Sequence, residues 1–285
     1  MGDRDLNNDI LEYRKANVMS DVLDLEFVKI PDGEFIIGSR LKLDRLAQSE
    51  EMNQHRLDIS DYYIMRYPVT NYQYQAFCLA TGHRNPLFGW PDGKYCDEVA
   101  DLPVVGVSIH DAYAFCKWAA EVTGLPLRLP TEPEWEKAAR GPDGRIYPWG
   151  NQWEPSLSNN SELKLGCTTP VKKFSPKGDS CFGVSDMAGN VQQWCSSLFG
   201  PYPYDPQDGR EALVYAKDPD DLMPKFFETG CTSNPQAIEA FIGKSVLRGG
   251  SWREDRNTCR CAYRSWAAPM HRSDDTGFRC CYEPS

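Results

Sequence analysis

At 285 residues, 41% hydrophobic and 25% charged, the chain holds enough apolar content for one sizeable core, and no apolar run approaches the roughly 18 residues that a membrane-crossing helix needs. A formal net charge of −10 and a pI near 5.0 argue against nucleic acid as a partner, because phosphate neutralisation needs a basic face. The 22 glycines, 21 prolines and 12% aromatic residues predict one loop-rich α+β domain held by buried rings rather than by long helices.

Residues 1–24 are polar and read as a linker or short helix outside a domain spanning 25–285. No apolar leader follows Met1, so a reducing, cytoplasmic setting is expected for the eleven cysteines, and an odd count argues against a complete disulfide framework. Pro31-Asp32-Gly33, between two short alternating runs, predicts an N-terminal hairpin. Thr70 with Gln73 predicts a capped helix through Thr81 that stops at Gly82. Ser108 with Asp111 predicts a second, whose apolar stripe of Ala112, Phe115, Cys116 and Ala119 ends at Gly124. Thr131 with Glu134 caps a third, stopping at Gly141. Beyond Pro142, closely spaced Gly, Pro, Asn and Asp leave only short strands, among them 245–247 and 260–264. Residues 216–244 read as an insertion with an acidic start, a helix at 234–242 and the position of a lid or rim.

Arginines concentrate near the C-terminus: Arg248, Arg253, Arg256, Arg260, Arg264, Arg272 and Arg279. Pairing of most of them with carboxylates and backbone carbonyls is the expectation, rather than a basic binding face. Cys259 and Cys261, if on a strand, would point to one face, as two core thiols or as a site for a soft metal.

Ordered blocks at 27–38, 67–70, 103–108, 127–136, 147–150, 183–190 and 248–252 resemble those of the formylglycine-generating enzyme (sulfatase-modifying factor) family. The closing frame is Arg248-Gly-Gly-Ser-Trp252, then Arg260, Ala262, Arg264, Pro269, Arg272 and Gly277-Phe-Arg279. The resemblance implies the family's C-type lectin fold: two helices around a small twisted antiparallel sheet, with extensive irregular loops. In catalytic members, a cysteine pair spaced five apart binds copper. Here Glu254 takes the first place, and the second has no clean counterpart because the chain is about three residues shorter between Gly250 and Ala262, so copper is not expected. The resemblance also implies structural calcium at Asp186, Gly189, Val191 and Gln193, and at Asn159 and Glu162, with affinity reduced where neutral Gln193 replaces a carboxylate. The four histidines, His55, His83, His110 and His271, lack the spacing of the family's iron-dependent branch.

The tail resembles most the variable proteins of diversity-generating retroelements, in which fixed scaffold residues alternate with rewritten ones. Over 252–276 the mixed positions are Trp252, Arg253, Glu254, Asp255, Arg256, Ser265, Trp266, Ala267, Ala268, Met270, His271, Ser273 and Asp274. These are the candidate ligand-binding residues, with a protein as ligand and no catalytic residue assigned. The alternatives are a copper oxidase or related enzyme with a rearranged site, and an undiversified interaction module.

Overall fold

The computed structural model describes residues 23–211 and 244–284. The linker at 1–24 and the insertion at 216–244 therefore fall almost wholly outside the described residues. Strands β1 (Phe27–Ile30), β2 (Gly33–Ile37), β3 (His55–Ile59) and β4 (Tyr62–Met65) come first, then helices α1 (Asn71–Thr81), α2 (Ile109–Thr123) and α3 (Glu132–Arg140). The remainder is β5 (Gln192–Leu198), β6 (Ser245–Arg248), β7 (Arg264–Ala267), β8 (Thr276–Gly277) and β9 (Cys281–Tyr282). Three sheets result, ordered β1-β4-β9, β2-β3 and β7-β6-β5-β8.

All three helices begin and end where the sequence places them. Thr70, Ser108 and Thr131 each close a capping box with the residue three on, and Gly82, Gly124 and Gly141 take the C-cap with positive φ. The predicted stripe of α2 is buried against Phe77, Tyr74 and Phe278 in the larger apolar cluster.

The N-terminal hairpin is not formed at Pro31. β1 pairs with β4 and β2 with β3, in one unbroken register in which Ile30 faces Tyr62 and Gly33 faces Ile59. The two sheets are a single long antiparallel ribbon bent at 31–32 and 60–61. Pro31 has no N–H to give the ladder, so pairing lapses there. Beyond the bend, Phe35 and Ile37 enter a separate cluster with Tyr202 and Tyr204.

The second correction concerns 260–264. The strand starts only at Arg264, and the preceding residues form turns. The carbonyls of Cys261 and Ala262 accept from Arg248 at 2.8 and 3.1 Å, and that of Tyr263 accepts from it too. A segment wrapped around a guanidinium in this way has no carbonyls left for a sheet partner.

Helix α3 anchors this arrangement. Its sequence reads as a polar surface helix, yet every residue from Glu132 to Arg140 is buried. Glu132 takes Arg264 in a two-pronged pair, at 2.6 Å to Nε and 2.8 Å to Nη2. Glu136 receives Arg248, Arg140 and the Gly38 N–H. Arg260 crosses to Asp44 and Glu51 in the β2–β3 loop at 2.6 and 2.5 Å. Burial alone would push the Glu132 carboxyl up, but Arg264 and Arg248 hold it below its ordinary value.

Removing one partner from such a buried pair leaves the other charge uncompensated. Glu132→Gln is expected to cost about 3–5 kcal/mol of unfolding free energy in urea titration; a loss below about 1 kcal/mol would show that Arg264 finds another partner.

The candidate functional site in the C-terminal segment

Exposure follows the residue types of the tail only in part: Pro269 and Arg272 of the frame are half-buried, and of the mixed positions Trp252, Glu254, Asp255, Ser265, Ser273 and Asp274 are half-buried and Ala267 is buried. The frame arginines Arg248, Arg260, Arg264 and Arg279 are at most 4% exposed, and Ala262, Gly277 and Phe278 are buried with them. Arg279 donates to the carbonyls of Met65, Ser185 and Asp186 and to Gln193, knitting the last strand to three other segments. Among the mixed positions, Arg253, Arg256, Trp266, Ala268, Met270 and His271 are exposed, and Trp266 and Met270 stand 47% and 62% open.

Ala267 departs from the expectation for the binding set. It is buried in the larger core cluster, because β7 alternates: Ser265 and Ala267 share the side of Leu247, while Trp266 turns the other way with Val246. The alternation also separates the candidate anchors. Trp266 lies under the Lys244 ammonium, 4.8 Å from the ring centroid, and Lys244 lines a cavity of about 430 Å3 with Phe199, Tyr202 and Arg264. His271 instead sits against Trp194 on the core side, at 6.5 Å between centroids.

Trp252, Arg253 and Asp274 form a third group. Arg253 lies 4.3 Å over the Trp252 ring and pairs with Asp274, whose carbonyl accepts from the indole at 3.4 Å. Three other candidates serve the backbone. Asp255 accepts from the Asn257 N–H and side chain at 2.8 and 2.9 Å, closing its own turn. The Arg256 carbonyl accepts from Tyr147 at 3.1 Å, whose ring stacks on Trp149 and lies tilted against Trp153. Ser273 accepts the Gly106 N–H through its carbonyl and donates its hydroxyl to Asp275.

Glu254 is half-buried beneath this group. A Cβ on Gly250 would lie 3.1 Å from both the Glu254 Oε2 and the Cys259 Sγ, so carboxyl and thiol flank one face of that glycine. Cys259 stands five residues after Glu254, the spacing that the resemblance gives the catalytic pair. Burial raises the Glu254 carboxyl, with a hydrogen bond from Thr258 opposing and Asp275 adding to it. Burial also pushes the Cys259 thiol well up, and Glu254 adds to that. Cys261 is elsewhere, in the cluster with Trp135 and Met187, and is raised to about 12 by burial. Cys259 and Cys261 therefore do not share a strand face. One protonated thiol beside one carboxyl is not the paired thiolate set that copper takes, and no step through copper is derived.

The calcium residues are already engaged with one another. The Gln193 carbonyl oxygen accepts from Trp135 and Arg279 at 3.0 and 2.6 Å, and its amide donates to the Asp186 carbonyl at 2.7 Å. The Gly189 carbonyl accepts from the Val191 N–H at 2.9 Å. Asn159 turns inward to Asn190 and Cys167, while the Glu162 carboxylate is exposed and accepts from Trp153. At Asp186 the donor set does not fit calcium, since Gln193 makes the cross-link an ion would make; at the other place the Asn159 Oδ1 is buried without a hydrogen-bond partner, and the Glu162 carboxylate is held by Trp153. Among the described residues, no group of three or more His, Cys, Asp or Glu is placed to hold a metal.

Helices, bent ribbon, small sheets and buried frame together define a C-type lectin-fold scaffold of the formylglycine-generating subtype. The chain belongs to the family described as the sulfatase-modifying factor enzyme 1-like domain, whose model matches residues 17–284. It is 30% identical to hercynine oxygenase of Mycolicibacterium smegmatis over 90% of this chain, and spans 61% of that protein. Among solved structures, PvdO from Pseudomonas aeruginosa superposes with a TM-score of 0.70 at 25% identity, covering 91% of this chain and 95% of that one. Treponema denticola variable protein 1 shares the fold with a TM-score of 0.66 at 22% identity, over 90% and 95% of the two chains. No helix among the described residues is long and apolar enough to cross a membrane.

Asp186 supplies a pH test. Burial pushes its carboxyl up to about 7, against Asn190 and Arg279, which pull it down. A carboxyl raised on folding holds its proton more tightly in the folded protein, so its contribution is complete below about pH 4 and is lost as pH rises towards about 7. Stability should fall across that window by on the order of a few kcal/mol more in the wild type than in Asp186→Asn. Parallel pH profiles from chemical denaturation would contradict this, and chelation by EGTA at pH 7.5 is expected to leave the melting temperature unchanged.

Proposed function

We propose that this chain is a non-catalytic ligand-binding protein that presents a diversified C-terminal surface on its C-type lectin scaffold, as retroelement variable proteins do. The observation that carries the reading is that Arg248, Arg260 and Arg264 are fixed in buried ion pairs while six side chains between them and the C-terminus, Arg253, Arg256, Trp266, Ala268, Met270 and His271, stand open to solvent. Such a backbone is set by contacts that the exposed side chains do not make. Those side chains can change at little cost to stability, and little ordering is left for binding to supply. Trp266 and Met270 are the apolar anchors, with Arg253, Arg256 and His271 as polar neighbours, and a protein is the ligand. Glu254, Asp255 and Ala267 belong to the support rather than the contact surface.

The gene itself tests this. A near-identical repeat of the stretch encoding 252–276, differing at adenines and lying near a reverse-transcriptase gene, is expected; a genome with neither removes the reading. In the protein, Trp266→Ala is expected to shift unfolding by less than about 1 kcal/mol, as suits a half-open side chain. A larger loss would make Trp266 a packing residue.

The second reading, an oxidising enzyme with a rearranged site, has only one thiol, Cys259, beside Glu254, and its test is copper. It predicts tight, stoichiometric Cu(I) binding and oxygen consumption with a cysteine-containing peptide, both lost in Cys259→Ala. Under the first reading neither is observed.

A further inference from the structure

The loop between α1 and α2 holds Leu87 and Phe88 out in solvent, 60% and 40% exposed. Its backbone is fixed so as to keep them there. The Leu87 N–H donates to the Gly106 carbonyl at 3.0 Å, and the Gly106 N–H donates to the Ser273 carbonyl at 2.8 Å, tying this loop to the C-terminal segment through one residue. A Cβ on Gly106 would fall 2.4 Å from the Phe88 nitrogen, so only glycine lets the loop lie this close. At the far end of the loop, the Trp90 indole donates to Asn71 at 2.9 Å. Met270, three residues before Ser273, is 62% exposed. Burying such side chains would stabilise the fold. A rigid loop that forgoes this has its apolar surface ready for something else.

Charge at the rim narrows what that is. Arg84, three residues before Leu87, donates Nε to Asp111 at 2.8 Å, and Arg272, beside His271, brings Nη2 to 3.4 Å from the same carboxylate. His83 shares it at 2.8 Å. Although burial works against the charged form, hydrogen bonds from Ser108, His83 and Arg84 hold Asp111 below its ordinary value. Among the described residues, neither guanidinium has another ion pair. Two permanent cations, Arg84 and Arg272, thus share the one Asp111 carboxylate at the rim of the apolar group.

We propose that Leu87, Phe88 and Met270, rimmed by Arg84 and Arg272, form a docking surface for an acidic peptide segment of a partner protein, one that offers an aromatic or aliphatic side chain flanked by carboxylates. The proposal rests on the ligand-binding reading and deepens it. Leu87 and Phe88 lie outside 252–276, so they form the constant half of a face whose other half, Met270 and His271, is open to change.

The test uses the full chain and a labelled synthetic peptide of Asp, Glu, Leu and Phe, beside one version with Lys for the acids and one with Ser for the apolar residues. Anisotropy is expected to show saturable binding of the acidic, apolar peptide alone, weakening as salt rises. The Leu87→Ser/Phe88→Ser double variant should bind it at least about tenfold more weakly with an unchanged melting temperature, and Met270→Ser should weaken it separately. Failure of the acidic peptide to bind, equal binding of the Lys peptide, or undiminished affinity in the double variant each overturns the surface. An adenine-directed repeat found in the genome without peptide binding would sink this surface and leave the diversified reading standing; peptide binding without the repeat would do the reverse.

Discussion

Arginines buried against carboxylates are the constraint on which this structure depends. Glu132 and Glu136 on α3 hold Arg264 and Arg248, and Asp44 and Glu51 in the β2–β3 loop hold Arg260. Taking such charges out of water is costly, and the pairs compensate only when both partners are present in good geometry. Each pair therefore fixes two segments distant in sequence. The tail, α3 and the bent N-terminal ribbon come together as one unit.

This accounts for the form of the tail. Arg248 gathers three successive carbonyls, which makes 261–263 a turn and delays β7 to Arg264. Arg279 does the same for the loop at 185–186. The path of the chain is thus written mainly by inward-pointing guanidiniums, while the outward side chains between them contact chiefly one another and the rim, as Arg253 does Trp252 and Asp274. Variation is tolerated where the backbone is held by something else, and here that holder is buried and continuous. The same tail contributes Ser273 to the tie with Gly106, so an exposed apolar loop outside the tail shares its surface.

Much of the fold was legible because its signals are local. Capping boxes and C-cap glycines specify the helices within a few residues, and those boundaries match. The misreadings share a different origin. Pro31-Asp32-Gly33 carries turn chemistry whether the chain reverses there or only bends, and the choice rests on β3 and β4, which come later in the chain. The burial of helix α3 is likewise not a local signal, because Glu132 and Glu136 are matched by arginines more than a hundred residues away. The burial of Arg248, Arg260, Arg264 and Arg279 was readable from their spacing among small residues, but the mixed positions between them divide among exposed, half-buried and buried. Ala267 was misassigned because strand alternation inside a short segment cannot be read before its start is known. That Glu254 and Cys259 meet at Gly250 is a contact made by the turn between them, which residue types alone do not give.

The central claim is that the frame sets the tail's backbone independently of the exposed side chains. Replacing Arg253, Arg256, Trp266, Met270 and His271 together by serine, then measuring amide hydrogen exchange across 248–281, tests it most directly. Protection of the backbone amides in β6 and β7 should stay within about tenfold of wild type, about 1.4 kcal/mol in opening free energy. Collapse of that protection in the serine variant, to the level produced by Glu132→Gln, would contradict the account.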